Sequence, residues 1–203
     1  VRGQGCHGST PEKGVDPITV ASHIVINLQE IMAREISATQ SAALTMGRIQ
    51  GGTVFNIIPE AVELEGTLRT HNPEMRDFIL QRVEEIAKAT AAVFRATCDV
   101  RIVRATDAVI NDADLAVLAQ EAIAPVAGEG LLRTTMTPNM GSEDFSCYQK
   151  EAPGVFWFLS SATPAKNTCI PHHNPRFDID EDVLWKGSAA LVAAAERFLN
   201  KGE

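Results

Sequence analysis

Aromatic side chains are scarce in this sequence: one Tyr, two Trp and eight Phe make up 5% of 203 residues. So few rings, with 18 Lys+Arg scattered among 26 Asp+Glu and a net charge of −8, exclude a base-stacking or phosphate-binding surface, and nucleic acid is not an expected partner. Long apolar runs are missing too. A stretch such as Ala189 to Ala195 falls well short of the roughly 20 residues that a membrane-spanning helix needs. Cysteine is sparse: Cys6, Cys98, Cys147 and Cys169 lie far apart without a CxxC pair, which argues against a disulfide scaffold or a zinc finger and fits a reducing, cytoplasmic setting. There are no internal repeats and no low-complexity tract. What remains, 45% apolar and 22% charged, is the composition of a folded globular chain. Residue 1 is Val and no charged-then-apolar signal segment follows, so the expected start is a cut one, inside a strand-to-loop passage.

Gly3-Gln4-Gly5-Cys6-His7-Gly8-Ser9-Thr10-Pro11 is too rich in Gly to be helix interior or a long strand. Asp16-Pro17 then makes a helix start, and Ile18, Ala21, Val25, Leu28 and Met32 give the apolar steps of a helix over about 17–35. A strand is expected from Ser41 to Ile49. After Gly51-Gly52 a second follows, in which Val62, Leu64, Gly66 and Leu68 alternate with Glu63, Glu65, Thr67 and Arg69. Asn72-Pro73 opens a second long helix, and Cys98 to Val103 reads as a closing strand. The order is that of a split βαβ, ferredoxin-like unit with most of its first strand missing. Beyond Thr106 come an Ala-rich helix from Asp114 to Val126 capped by Asp112 or Asn111, a buried aromatic strand Val155–Leu159 and a final helix over roughly 181–200. One short strand is too little sheet to close an α/β core, so this second region is expected to be part of a larger domain.

Three loops carry candidate chemistry, each with a bland reading beside it. His7 in its glycine loop could equally be a solvated surface residue. Asn56, in Gly51-Gly52-Thr53-Val54-Phe55-Asn56-Ile57-Ile58-Pro59, could serve turn chemistry. His172-His173, before the acidic stretch Asp178 to Asp182, could give one imidazole to a metal while the acids favour the start of the last helix. Gly141-Ser142-Glu143-Asp144-Phe145 reads as the N-terminus of a short helix, and the alternation of Arg69 with Glu63 and Glu65 also permits a cross-strand salt bridge. His23 and His71 are assigned to structure.

Taken together, Gly5-x-His7-Gly8-Ser9 with Val15-Asp16-Pro17, Gly51-Gly52-Thr53-x-Phe55-Asn56-x-Ile58-Pro59, Gly66-Thr67-x-Arg69, Met140-Gly141-Ser142-Glu143-Asp144-Phe145 and His173-x-Pro175-x-Phe177-Asp178 resemble, in that order and over the whole chain, the metal-dependent amidohydrolases of the aminoacylase, hippurate-hydrolase and indole-acetyl-amino-acid-hydrolase type. The resemblance implies that residues 1–107 form a lid and dimerisation domain, and 108–203 the C-terminal segment of a zinc-peptidase-like α/β catalytic domain. It implies cleavage of N-acyl amino acids by a water activated on a divalent metal (Zn, Mn, Co or Ni), in a homodimer joined through the lid. His173 would be a metal ligand. His7 would donate to the oxyanion in the partner subunit's active site, Asn56 would hydrogen-bond substrate and Arg69 would pair with a substrate carboxylate. Gly141, Ser142 and Glu143 would line the cleft, with the role of Glu143 unassigned. Cys6 departs from the pattern, where relatives usually carry glycine. The remaining ligands and the general base belong to motifs that precede Val1 in the family, so the chain alone is expected to hold no metal stably and to be inactive. The competing expectation is a non-catalytic ferredoxin-like module for dimerisation or ligand sensing.

Overall fold

The computed structural model describes residues 1–128 and 130–200. It divides into two compact units, Val1–Ala108 with Met140–Ser142, and Val109–Asn139 with the chain from Glu143 onward.

In the first unit, helix α1 (Pro17–Glu30) begins where the Asp16 carboxylate accepts from the Ile18 amide at 2.9 Å and the Thr19 hydroxyl at 2.7 Å, with Pro17 in the first helical position. Its last turn widens into a π-helical segment, Ile31–Glu35, closed by the Ile36 amide on the Ile31 carbonyl at 3.1 Å. Helix α2 (Pro73–Val93) starts in the same way, with the Asn72 side chain accepting from the Glu74 and Met75 amides. It ends without glycine: Arg95 takes the left-handed conformation at φ 64°, and the Ala96 and Arg95 amides return to the Ala91 and Ala92 carbonyls. Val20, Ile24, Leu28 and Ile31 meet Met75, Ile79, Ala87 and Ala91 in the core between the two helices. Full burial of each large aliphatic side chain contributes about 1.5–3 kcal/mol.

Against this helical layer lies an antiparallel pair, β2 (Ala42–Gly51) and β4 (Val62–Thr70), from which Leu44, Met46, Leu64 and Leu68 face the core. The register slips between Met46 and Arg48, so Gly47 is bulged out. A second, two-residue pair joins β1 (Cys6–His7) to β3 (Ile57–Ile58). Between these ladders, Val1 and Val62 exchange backbone hydrogen bonds of 2.9 Å, and Arg2 and Thr97 exchange bonds of 2.8 and 3.0 Å. The lateral order is therefore Thr97, Val1–Gly3, the start of β4, then β2. This is the ferredoxin-like order, with its first and last strands reduced to single bridges.

Two expectations are corrected here. Cys98 to Val103 forms no strand among the described residues. Antiparallel pairing centred on Arg2 and Thr97 carries every position after Cys98 past Val1, so this stretch finds no ladder partner in the chain. Cys98 and Val100 still pack on the core, and burial pushes the Cys98 thiol pKa up. The Gly3–Gly8 passage is more than a loop: it continues the pairing with residues 57–62, with a one-residue slip between Arg2↔Ala61 and Cys6↔Ile58.

In the second unit, α3 (Ala113–Ala127) is capped by Asp112, whose carboxylate accepts from the Leu115 amide at 2.9 Å. Ala119 and Ile123 of α3 bury against Ala190 of α5 (Leu184–Leu199), with Val155 and Trp157 alongside. The final helix thus starts at Leu184 rather than 181, because Glu181–Val183 is a tighter 3₁₀ turn capped by Asp180. The expected aromatic strand is also corrected: Val155–Leu159 is not a strand among the described residues, and Phe158 is 64% exposed. Among the described residues no neighbouring strand pairs with it. Instead the Asn111 side chain donates to the Phe156 carbonyl and accepts from its amide, both at 2.8 Å, doing the work of a strand partner for one residue.

Candidate functional site

His7 ends β1, opposite Ile57, and the next residue of each strand is joined across the ribbon by the Gly8 amide donating to the Asn56 carbonyl at 2.8 Å. A Cβ on Gly8 would stand 3.0 Å from that carbonyl oxygen, so the close approach depends on glycine at this position. The fold thereby brings His7 and Asn56 to one end of one ribbon, and both residues are exposed. Asn56 makes no side-chain hydrogen bond among the described residues, so the turn-chemistry reading has no contact behind it, and its amide is available to a ligand. His7 is hydrogen-bonded locally: its Nδ1 accepts from the Ser9 amide at 3.1 Å and lies 2.7 Å from the Ser9 hydroxyl. Ser9 is the residue that sequence reasoning passed over. The signal for it was the serine two positions after a histidine in a tight glycine turn, a spacing at which short polar side chains bond locally.

Arg69 is half-buried on β4 opposite Ala43, and among the described residues it has no carboxylate partner. It lies seven residues along β4 from Val62, about 23 Å at strand rise, so within one chain it is not adjacent to the His7 ribbon. The cross-strand pairing considered for it goes to Arg48 instead, which bonds Glu63, Glu65 and Gln50. The bulge at Gly47 makes this happen. Strict alternation from Leu44 and Met46 would turn Arg48 toward the helices, and the extra residue returns it to the solvent face with Thr45 and Thr67.

Ser142 pairs with Thr106 through their hydroxyls at 2.9 Å, and Gly141 is engaged as well. In the second unit, the Glu143 carboxylate accepts from the Phe145 amide at 3.3 Å and its carbonyl from the Ser146 hydroxyl at 3.1 Å, at the start of α4 (Phe145–Gln149). His172 sits edge-on to the Phe177 ring at 4.8 Å between centroids. His173 is exposed and holds φ 64°, a left-handed backbone uncommon for a residue with a Cβ and frequent where function fixes a side chain. Among the described residues no three His, Cys, Asp or Glu side chains converge to hold a metal ion. As assigned to structure, His23 stacks on Phe94 at 4.7 Å. Asp180 is buried, and bonds from the Lys166 ammonium and the Thr163 hydroxyl hold its carboxyl below the usual range.

Residues 1–95 match the peptidase dimerisation domain of the M20 family. The first 95 residues are an M20 dimerisation domain. It is 38% identical over 184 residues to an uncharacterized hydrolase of Sinorhizobium fredii, a match covering 91% of this chain and 45% of that protein. It is 33% identical to an N-acetyl-L-cysteine deacetylase of Bacillus subtilis, covering 100% of this chain and 47% of the relative. The M20 dinuclear metal binding peptidase of Bacillus subtilis superposes with a TM-score of 0.72 at 26% identity, over 99% of this chain and 50% of its own. The chain thus spans about half the length of the curated relatives it matches. Among the described residues no helix is long and apolar enough to cross a membrane.

Proposed function

We propose that this chain is the lid and C-terminal portion of a cytoplasmic, homodimeric, metal-dependent amidohydrolase that cleaves N-acyl amino acids. The observation that carries the reading is the placing of His7 and Asn56 at one end of the β1–β3 ribbon, two exposed polar residues whose strands are tied there by the Gly8 amide on the Asn56 carbonyl. Amide hydrolysis passes through a tetrahedral intermediate whose oxyanion needs donors already in position. The His7 imidazole is that donor, acting in the cleft of the partner subunit, and the Asn56 amide holds the substrate beside it. Arg69, free of carboxylates on its own strand, grips the substrate carboxylate with its planar fork. Gly141, Ser142 and Glu143 line the cleft.

A divalent metal (Zn, Mn, Co or Ni) supplies a nucleophilic hydroxide in such hydrolysis at neutral pH. The residues of this chain do not fit such a site by themselves: His173 is one imidazole, and a catalytic centre takes about three protein ligands with an open position. His173 would contribute one ligand to a centre completed by other ligands, and the chain alone is expected not to turn over. The name of the N-acetyl-L-cysteine deacetylase relative supports an acyl-amino-acid substrate.

The test is His7→Ala in the complete enzyme. The expected result is a kcat lowered about 10²–10³-fold with metal content unchanged, as for loss of one oxyanion donor. Loss of metal, or unchanged kcat, contradicts the assignment.

A further inference from the structure

We infer that Ser9 is a positioning residue that fixes His7 in the tautomer carrying its proton on Nε2, so that the ring presents an N–H donor. The inference rests on the proposed role of His7 as oxyanion donor and specifies how the loop prepares it. An imidazole has two nitrogens, and in the neutral ring only one carries hydrogen. The Ser9 backbone amide, 3.1 Å from Nδ1, can only donate. Nδ1 must therefore be the acceptor, and a proton there would face the amide hydrogen head-on. The Ser9 hydroxyl, 2.7 Å from the same atom, can turn its hydrogen toward Nδ1 and add a second donor. The amide decides the tautomer, since the hydroxyl could equally accept from a protonated Nδ1, and it leaves the proton of the neutral ring to Nε2, with the hydroxyl donating to Nδ1 and steadying the ring. Nε2 has no hydrogen-bond partner among the described residues, and the side chain is exposed.

The turn that sets this up is held at both ends. The Thr10 amide donates to the His7 carbonyl at 2.9 Å, and the Gly8 amide is tied to Asn56. The Ser9 amide is thus fixed in place to face the ring rather than solvent. A donor at Nε2 is what a developing oxyanion requires, whereas the other tautomer would offer it a lone pair.

The experiment has two arms, so that the positioning claim and the donor claim fail separately. In the first, two-bond nitrogen–proton spectra of histidine-labelled full chain, with His7 assigned by comparison with His7→Ala, are recorded above the pH range where the ring titrates. His7 is expected to show an unprotonated Nδ1 and a protonated Nε2. Ser9→Ala and Ser9→Thr both keep the amide donor, and both are expected to keep the Nε2–H form. In the second arm, the complete enzyme carrying Ser9→Ala is expected to lose about fivefold in kcat with KM unchanged, and Ser9→Thr to recover it.

A protonated Nδ1 in the unaltered protein overturns the inference whatever the kinetics, and a Ser9→Ala variant with unchanged kcat overturns the positioning role of the hydroxyl. If the ring signals behave as expected while His7→Ala leaves kcat unchanged, the tautomer lock stands and the donor role of His7 fails.

Discussion

Arg69 and Arg48 are two arginines on facing strands of one antiparallel pair, and the bulge at Gly47 puts both on the same solvent face. Glu63 and Glu65 are satisfied by Arg48, so Arg69 keeps its guanidinium unclaimed on the same solvent face. An exposed ion pair is worth about 0–1 kcal/mol, which makes an arginine left without one inexpensive to the fold and available for recognition. If it grips the substrate carboxylate bidentately, Arg69→Lys in the complete enzyme loses the fork while keeping the charge. The expected outcome is a KM raised about 10-fold or more, the equivalent of one charge-assisted hydrogen bond, with thermal stability unchanged. A steady-state comparison with acyl amino acids and the corresponding acyl amines, which lack the carboxylate, checks this. An equal loss on both substrates would remove the carboxylate from the account.

Helix starts were legible in the sequence because their causes are local. Asp16-Pro17, Asn72-Pro73 and Asp112 each satisfy an orphan amide two or three residues ahead, whatever the rest of the chain does. The end of α2 was not legible, since Arg95 rather than glycine takes the left-handed position. Strands depend on partners, and there reading failed: Cys98 to Val103 and Val155 to Leu159 have strand composition but find nothing to pair with. The bulge at Gly47 was invisible for the same reason, as register belongs to the pair and not to one strand.

The start of α5 yields its own prediction. Buried Asp180 accepts from Lys166, Thr163 and the Asp182 amide, and its carboxyl is held below its usual value near 3.8. A carboxylate whose folded pKa is depressed stabilises the fold above its unfolded pKa and loses that contribution as pH falls through the folded value. Asp180→Asn is therefore expected to melt at lower temperature than the unaltered chain at pH about 7, with the gap closing below about pH 4. Thermal denaturation across that range checks it, and a gap independent of pH would show that the charge of Asp180 is not what matters.

At the scale of the whole molecule, the candidate residues divide by unit. His7, Asn56, Arg69, Gly141 and Ser142 belong to the first, and Glu143 and His173 to the second. The candidate residues were picked from loop motifs, which keep their spacing when the surrounding sheet is incomplete. The support of His7 by Ser9 was not legible, because it depends on which ring nitrogen faces which donor. The account assigns the first unit to subunit pairing and to delivery of His7 across the dimer, and the second to one ligand of a metal centre.

The most direct test of that division is complementation in the complete enzyme between His7→Ala and His173→Ala, each strongly impaired alone, co-expressed so that subunits mix during assembly. If His7 serves the partner's cleft, half of randomly formed two-fold dimers are mixed and each holds one intact site, giving about a quarter of full activity. If His7 serves its own subunit, no site in any dimer is intact, and an inactive mixed population would contradict the account.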